Sequence, residues 1–174
     1  MPYSSITSKL FCLQQNPAVF VVCTGGLNHW HDVRSNYKPQ PFLEAAAECV
    51  RTLLAQFTNQ DNDAHALVCG FENEAPQCYR VDRCVGSPGP PTCAPKGLEE
   101  VQVVGKEWIE VNGQRHEIAA PAKRLAENYM KGGFEPAKAL SHAIIDLMPI
   151  GRLANCLSEP IEVQVIARDQ CIKG

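Results

Sequence analysis

An α+β fold with antiparallel strand pairing is the class this sequence predicts, and three observations predict it. Strand-like segments cluster in neighbouring runs separated by turn residues, at 9–23, 64–82 and 101–113. Helical periodicity comes in separate blocks, at 42–58 and 121–148, and not between every two strands as an alternating βαβ sheet would need. Composition is ordinary for one globular domain of 174 residues, with 45% hydrophobic and 20% charged residues. Two antiparallel sheets with helices outside would cover every apolar face that this pattern creates.

The elements follow in order. Lys9 to Leu13 sets Leu10 and Cys12 on one face, as a strand does, and Asn16-Pro17 turns the chain into Pro17–Cys23, a short apolar, β-branched strand ended by Gly25-Gly26. Leu27 to Gln40 is polar and aromatic without clear periodicity, and reads as irregular. Phe42, Ala46, Cys49, Val50, Leu53, Leu54 and Phe57 recur at helical spacing behind Pro41, which an opening turn tolerates. Ala64–Gly70 is a buried strand, Glu72–Ala75 a turn, and Gln77–Asp82 a strand returning beside it.

Residues 86–97 contain four prolines and are neither helix nor central strand, so they read as a loop or small insertion. Val101–Val104 and Glu107–Val111 are strand-like, and Asn112-Gly113 is a hairpin turn signal. A helix from about Pro121 to Lys131 stops at Gly132-Gly133, and a second from Glu135 to Met148 sets Ala137, Leu140, Ile144 and Leu147 on one face. Ile161–Ala167 alternates as a last strand.

Composition also excludes function classes. A net charge of −3 argues against a nucleic-acid binder that works by neutralising phosphates, and the aromatic residues do not alternate with basic ones. No apolar run has the length of a bilayer span, and the opening residues lack the apolar stretch of a signal peptide. Nine cysteines, an odd number, read as mostly reduced thiols in a cytoplasmic protein.

Three stretches together resemble a proteasome-type subunit of the N-terminal-nucleophile hydrolase fold. Ser8–Gly26 (SKLFCLQQNPAVFVVCTGG) is similar to the family's lysine-hydrophobe start, short turn, buried strand and terminal glycine. His65–Asp82 (HALVCGFENEAPQCYRVD) resembles its strand pair ending in a tyrosine and a "VD", and EPAKALSHAII followed by IEVQVIA resembles its penultimate helix and last strand. The resemblance implies a four-layer αββα sandwich, assembly of like or related subunits into a ring, and, in active members, peptide hydrolysis by an N-terminal threonine whose own amine is the general base. It implies no cofactor. It places Lys9 at the family's catalytic lysine and Gly25 at the oxyanion glycine.

The nucleophile does not follow. Eight residues precede Lys9, fewer than the family's nucleophile-bearing hairpin needs. Active members carry an aspartate before a serine and two glycines, where this chain has Asn155-Cys156-Leu157-Ser158-Glu159-Pro160. The expectation is therefore a non-catalytic relative with a structural or assembly role.

Two alternatives stay open. In one, an N-terminal-nucleophile peptidase or amidohydrolase uses a trimmed Ser4, Ser5 or Thr7, or a thiol such as Cys12 or Cys23, on a peptide substrate. In the other, a small metal or redox module uses His29 and His31, which would share one face of an extended segment, with the loop cysteines Cys84 and Cys93. Against each stands an ordinary reading: a hydroxyl-rich chain start, a strand-edge lysine, a glycine where the backbone turns tightly, a polar loop. Cys12, Cys23, Cys49, Cys69 and Cys156 have apolar surroundings and read as small buried hydrophobes, whereas Cys84 and Cys93 are the expected exposed thiols.

Overall fold

The computed structural model describes residues 9–57, 63–84, 86, 89–97, 101–104 and 107–153. Ser4, Ser5 and Thr7, the Asn155–Pro160 segment and the strand expected at 161–167 lie outside the described residues. The chain is mixed α+β with antiparallel strands, as the sequence predicts, and it divides into two compact units near residue 99.

Among the described residues, the first unit is a five-stranded meander with two helices on one face. Its strands are β1 (Leu10–Gln15), β2 (Ala18–Gly25), β3 (Ala64–Glu72), β4 (Ala75–Arg83) and β5 (Thr92–Lys96), each hydrogen-bonded antiparallel to the next. Two helices, α1 (Leu27–Asn36) and α2 (Leu43–Phe57), connect β2 to β3. Side chains on a strand alternate between faces, so the register sorts them. Phe11, Val21, Val68 and Tyr79 form one cross-strand row, and Cys23, Ala66, Val81 and Cys93 another. These rows meet Trp30 and Val33 of α1 and Leu43, Ala46, Ala47, Val50 and Leu54 of α2 to form the hydrophobic core.

Two glycines are fixed by close approach. Gly25 has φ +102°, where only glycine is unstrained, and a Cβ there would also meet the Asp63 carbonyl. Gly70 lets the Ala18 carbonyl and the Leu43 side chain come against the strand.

The segment read as irregular contains a helix. Among the α1 side chains that are described, Trp30 and Val33 face the core, a stripe too narrow for periodicity to reveal. The Trp30 indole N–H donates to the Thr24 carbonyl at 2.8 Å and ties the helix to the end of β2. Beyond α1, the buried Gln14 amide donates to the Pro17 and Gln40 carbonyls, both at 2.9 Å, while its oxygen accepts from the Gln40 N–H and the Tyr37 hydroxyl. All four hydrogen-bonding positions of that amide are thereby used.

The proline-rich stretch is also more regular than its composition predicts. Its second half is β5, an edge strand, where Pro95 sits without interrupting a ladder on both sides. Buried Arg83 donates to the Gly89 carbonyl. Residues 101–104, read as a strand, have an irregular backbone, since so short an apolar run does not distinguish strand from extended coil.

The second unit has a two-stranded hairpin, β6 (Trp108–Val111) and β7 (Gln114–Glu117), closed by Asn112 and Gly113, both at positive φ. Helices α3 (Ala119–Lys131) and α4 (Pro136–Leu153) pack together, with Ala126, Ala139, Ala143, Leu147 and Met148 buried. Their corner forms at Gly132-Gly133, where Tyr129, Phe134 and His142 cluster with ring centroids 5.1–5.2 Å apart. α4 runs past Met148, where the sequence reading ended it, with Pro149 inside it.

Candidate functional site

The sheet of the first unit has a second face, turned away from α1 and α2, and its register places a polar row across three strands. Thr24 of β2 lies opposite His65 of β3, which lies opposite Asp82 of β4. His65 Nδ1 is 2.8 Å from Asp82 Oδ1, and Arg80 Nε donates to both carboxylate oxygens at 2.9 and 2.8 Å. Burial alone would raise the Asp82 carboxyl, but the hydrogen bonds from His65 and Arg80 outweigh it and hold the group below its ordinary value. An ionised carboxylate only accepts, so His65 presents its Nδ1–H to Asp82 and keeps Nε2 as its second nitrogen.

A carboxylate-oriented imidazole with a hydroxyl in the next strand is an arrangement that general-base chemistry uses. Here Arg80 shares the same carboxylate and makes the cluster a mutually compensated ion pair. Sequence reasoning missed this row. The signal was present in the turn: Asn73 and Glu74, both at positive φ, form a two-residue hairpin loop, and every pair equidistant from it, His65 with Asp82 among them, falls opposite.

Two rows further along the same face, Cys12, Phe20, Cys69, Cys78 and Lys96 lie in register across all five strands. The Cys69 and Cys78 sulfurs are 3.2 Å apart. Between the two polar rows run Leu10, Val22, Leu67, Arg80 and Ala94.

The residues expected from sequence are placed as follows. Lys9 precedes β1 and is exposed, and its carbonyl accepts the Cys23 N–H at 2.8 Å. Cys23 points into the core, where burial pushes its thiol up to about 12 although Lys9 pulls the other way. A thiol held that high is not a nucleophile near neutral pH. Gly25 ends β2 against Asp63, the tight turn expected of it.

His29 and His31 stand on α1 rather than on an extended segment. Two residues apart on a helix they are about 200° apart around its axis, so they do not share a face. Among the described residues no group of three or more His, Cys, Asp or Glu side chains is arranged to hold a metal ion. Of the thiols, Cys84 is exposed as expected. Cys12 is exposed where burial was expected, and Cys93 is half-buried against the core where exposure was expected, because β5 pairs with β4.

No protein-family model matches the chain, and no curated protein matches it significantly.

Proposed function

We propose that the chain is a non-catalytic, proteasome-like subunit whose sheet is one β layer of a four-layer sandwich and whose role is structural, in a closed oligomer of like or related subunits. The observation that supports this reading is an apolar band on each face of the meander, the second one lying among polar rows. One face is capped by α1 and α2. The other carries half-buried Leu10, Phe20 and Val22 beside nearly buried Leu67, an apolar band against which a second layer would pack. An αββα order supplies a layer on each side.

The non-catalytic part rests on Lys9, Gly25 and Cys23. Gly25 has a sufficient backbone reason to be glycine, Lys9 sits at the surface before β1, and the thiol nearest Lys9 in the ladder is buried and neutral. The test is native mass spectrometry, with denaturation in the same run to weigh the subunit. A closed ring of subunits near 19.1 kDa is the expected outcome. A monomer or dimer overturns the assembly role. A subunit shortened at its start, with labelling of the new N-terminal residue by an electrophilic peptide, overturns the non-catalytic one.

A further inference from the structure

The β3–β4 hairpin is closed by a two-residue loop, so Glu72 and Ala75 are the hydrogen-bonded pair that flanks it. Pairs alternate from there. Phe71 and Pro76 are a non-hydrogen-bonded pair, which suits a proline without an N–H, Gly70 and Gln77 are hydrogen-bonded, and Cys69 and Cys78 are again non-hydrogen-bonded. In such a pair the Cα atoms are about 4.5 Å apart and the side chains at their closest. That separation lies inside the range of about 4.4–6.8 Å that a disulfide spans. The sulfurs already stand 3.2 Å apart, with the Cys69 S–H directed at Cys78.

Their surroundings separate the roles. The hydrogen bond from Cys69 lowers the Cys78 thiol against the opposing effect of burial, and Lys96, opposite Cys78 on β5, acts in the same direction. The same bond raises Cys69, which keeps its proton. Cys78 is 5% exposed while Cys69 is half-buried, so a small molecule reaches the pair from the Cys69 side.

We propose that Cys69 and Cys78 form an oxidation site for a small hydroperoxide, with Cys78 as the attacking sulfur and Cys69 as the resolving one. The Cys78 thiolate attacks one oxygen of hydrogen peroxide. The O–O bond breaks, a sulfenic acid forms, and the departing hydroxide takes a proton to become water. The Cys69 sulfur then displaces the hydroxyl from the Cys78 sulfur, losing its own proton to it, so that a second water leaves and the S–S bond forms. In sum two thiols lose two hydrogens, and one peroxide is reduced to two waters. The pair lies on the face that the proposed second layer would cover, but its chemistry rests on the β3–β4 ladder and the sulfur separation and not on that reading.

The test uses the full chain. Trypsin cuts after Arg51 and Arg80 and nowhere between, so both thiols fall in the peptide 52–80 with no other cysteine. The native protein is treated with limiting hydrogen peroxide, alkylated without reductant, digested and weighed. The expected result is that this peptide becomes lighter by two hydrogens and loses both alkylation sites, while Cys12, Cys23 and Cys93 remain alkylated and a dithiol reductant restores the sites. Cys69→Ser removes the resolving thiol, and a sulfenic-acid-trapping 1,3-dione is then expected on Cys78. Alkylation of both thiols while another cysteine is oxidised, or sulfinic acid without the link, overturns the proposal. So does an equal preference for the 69–78 link in the urea-unfolded chain, since sequence proximity would then explain it without the ladder.

Discussion

Asp82 joins β3 to β4 through side chains on the outer face of the sheet. Its carboxylate is held by His65 and Arg80, and the folded protein keeps it ionised below its ordinary value. The sign of the consequence follows from linkage. A group whose folded-state value is depressed contributes stability that is fully present above its unfolded value, about 3.9, and is lost as pH falls through the folded value. Unfolding stability measured in urea from pH 7 down to pH 3 is therefore expected to drop on the acid side, and Asp82→Asn should flatten that limb. Gly70 yields a second expectation. An added methyl would run into the Ala18 carbonyl and crowd Leu43, both inside the core, so Gly70→Ala should destabilise by about 1–3 kcal/mol in urea denaturation.

Residues of this kind were unevenly legible. Gly25 stands at the end of an apolar run and reads as a stop in the sequence. Gly70 and Gln14 do not, because what they answer to, a carbonyl from β2 and the chain after α1, is distant in the sequence. His65 and Asp82 could have been paired from the turn at 73–74. Their shared face could not, because β3 reads as a continuous apolar run and gives no alternation to orient it.

At the scale of elements, the strands and the long amphipathic helix α2 follow from local pattern, and α1 does not. Its helicity is favoured by tertiary burial of Trp30 and Val33 on a largely polar segment. The same tertiary effect makes β5 a strand, since only pairing with β4 makes an extended ladder out of a proline-bearing stretch.

The sequence has two tryptophans, and they differ: Trp30 is 0% exposed and bonded to Thr24, whereas Trp108 is 41% exposed with the Arg115 guanidinium 4.6 Å from its ring centre. Trp108→Phe should leave short-wavelength emission that iodide barely quenches. Trp30→Phe should leave the quenchable, red-shifted component. Quenchable emission from the Trp108→Phe protein would mean that α1 does not dock as described.

For the whole molecule, the two compact units differ in how they close. The second builds its buried face largely from alanines at the contact of α3 and α4, and the first from branched and aromatic side chains between a sheet and two helices. No described helix is long and apolar enough to cross a membrane. The α+β class was legible because strand runs cluster and helical blocks do not alternate with them. The division near residue 99 was not, because the sequence there runs on into the strand-like Val101–Val104 without a marked change of composition.

The meander order sets how the first unit can fold. Every strand is bonded to its neighbour in the chain, and two of the four pairings, β1 with β2 and β3 with β4, close over tight two-residue turns. Those hairpins need little loop entropy and can form early. The pairing of β2 with β3 must instead close over residues 26–63, which hold both helices, and it places Val21 against Val68 in the centre of the core. Of the four pairings in this sheet, that closure carries the largest loop-closure entropy. Until it happens, the apolar flanks of both hairpins face water together, and the nascent sheet is at its most exposed to wrong partners.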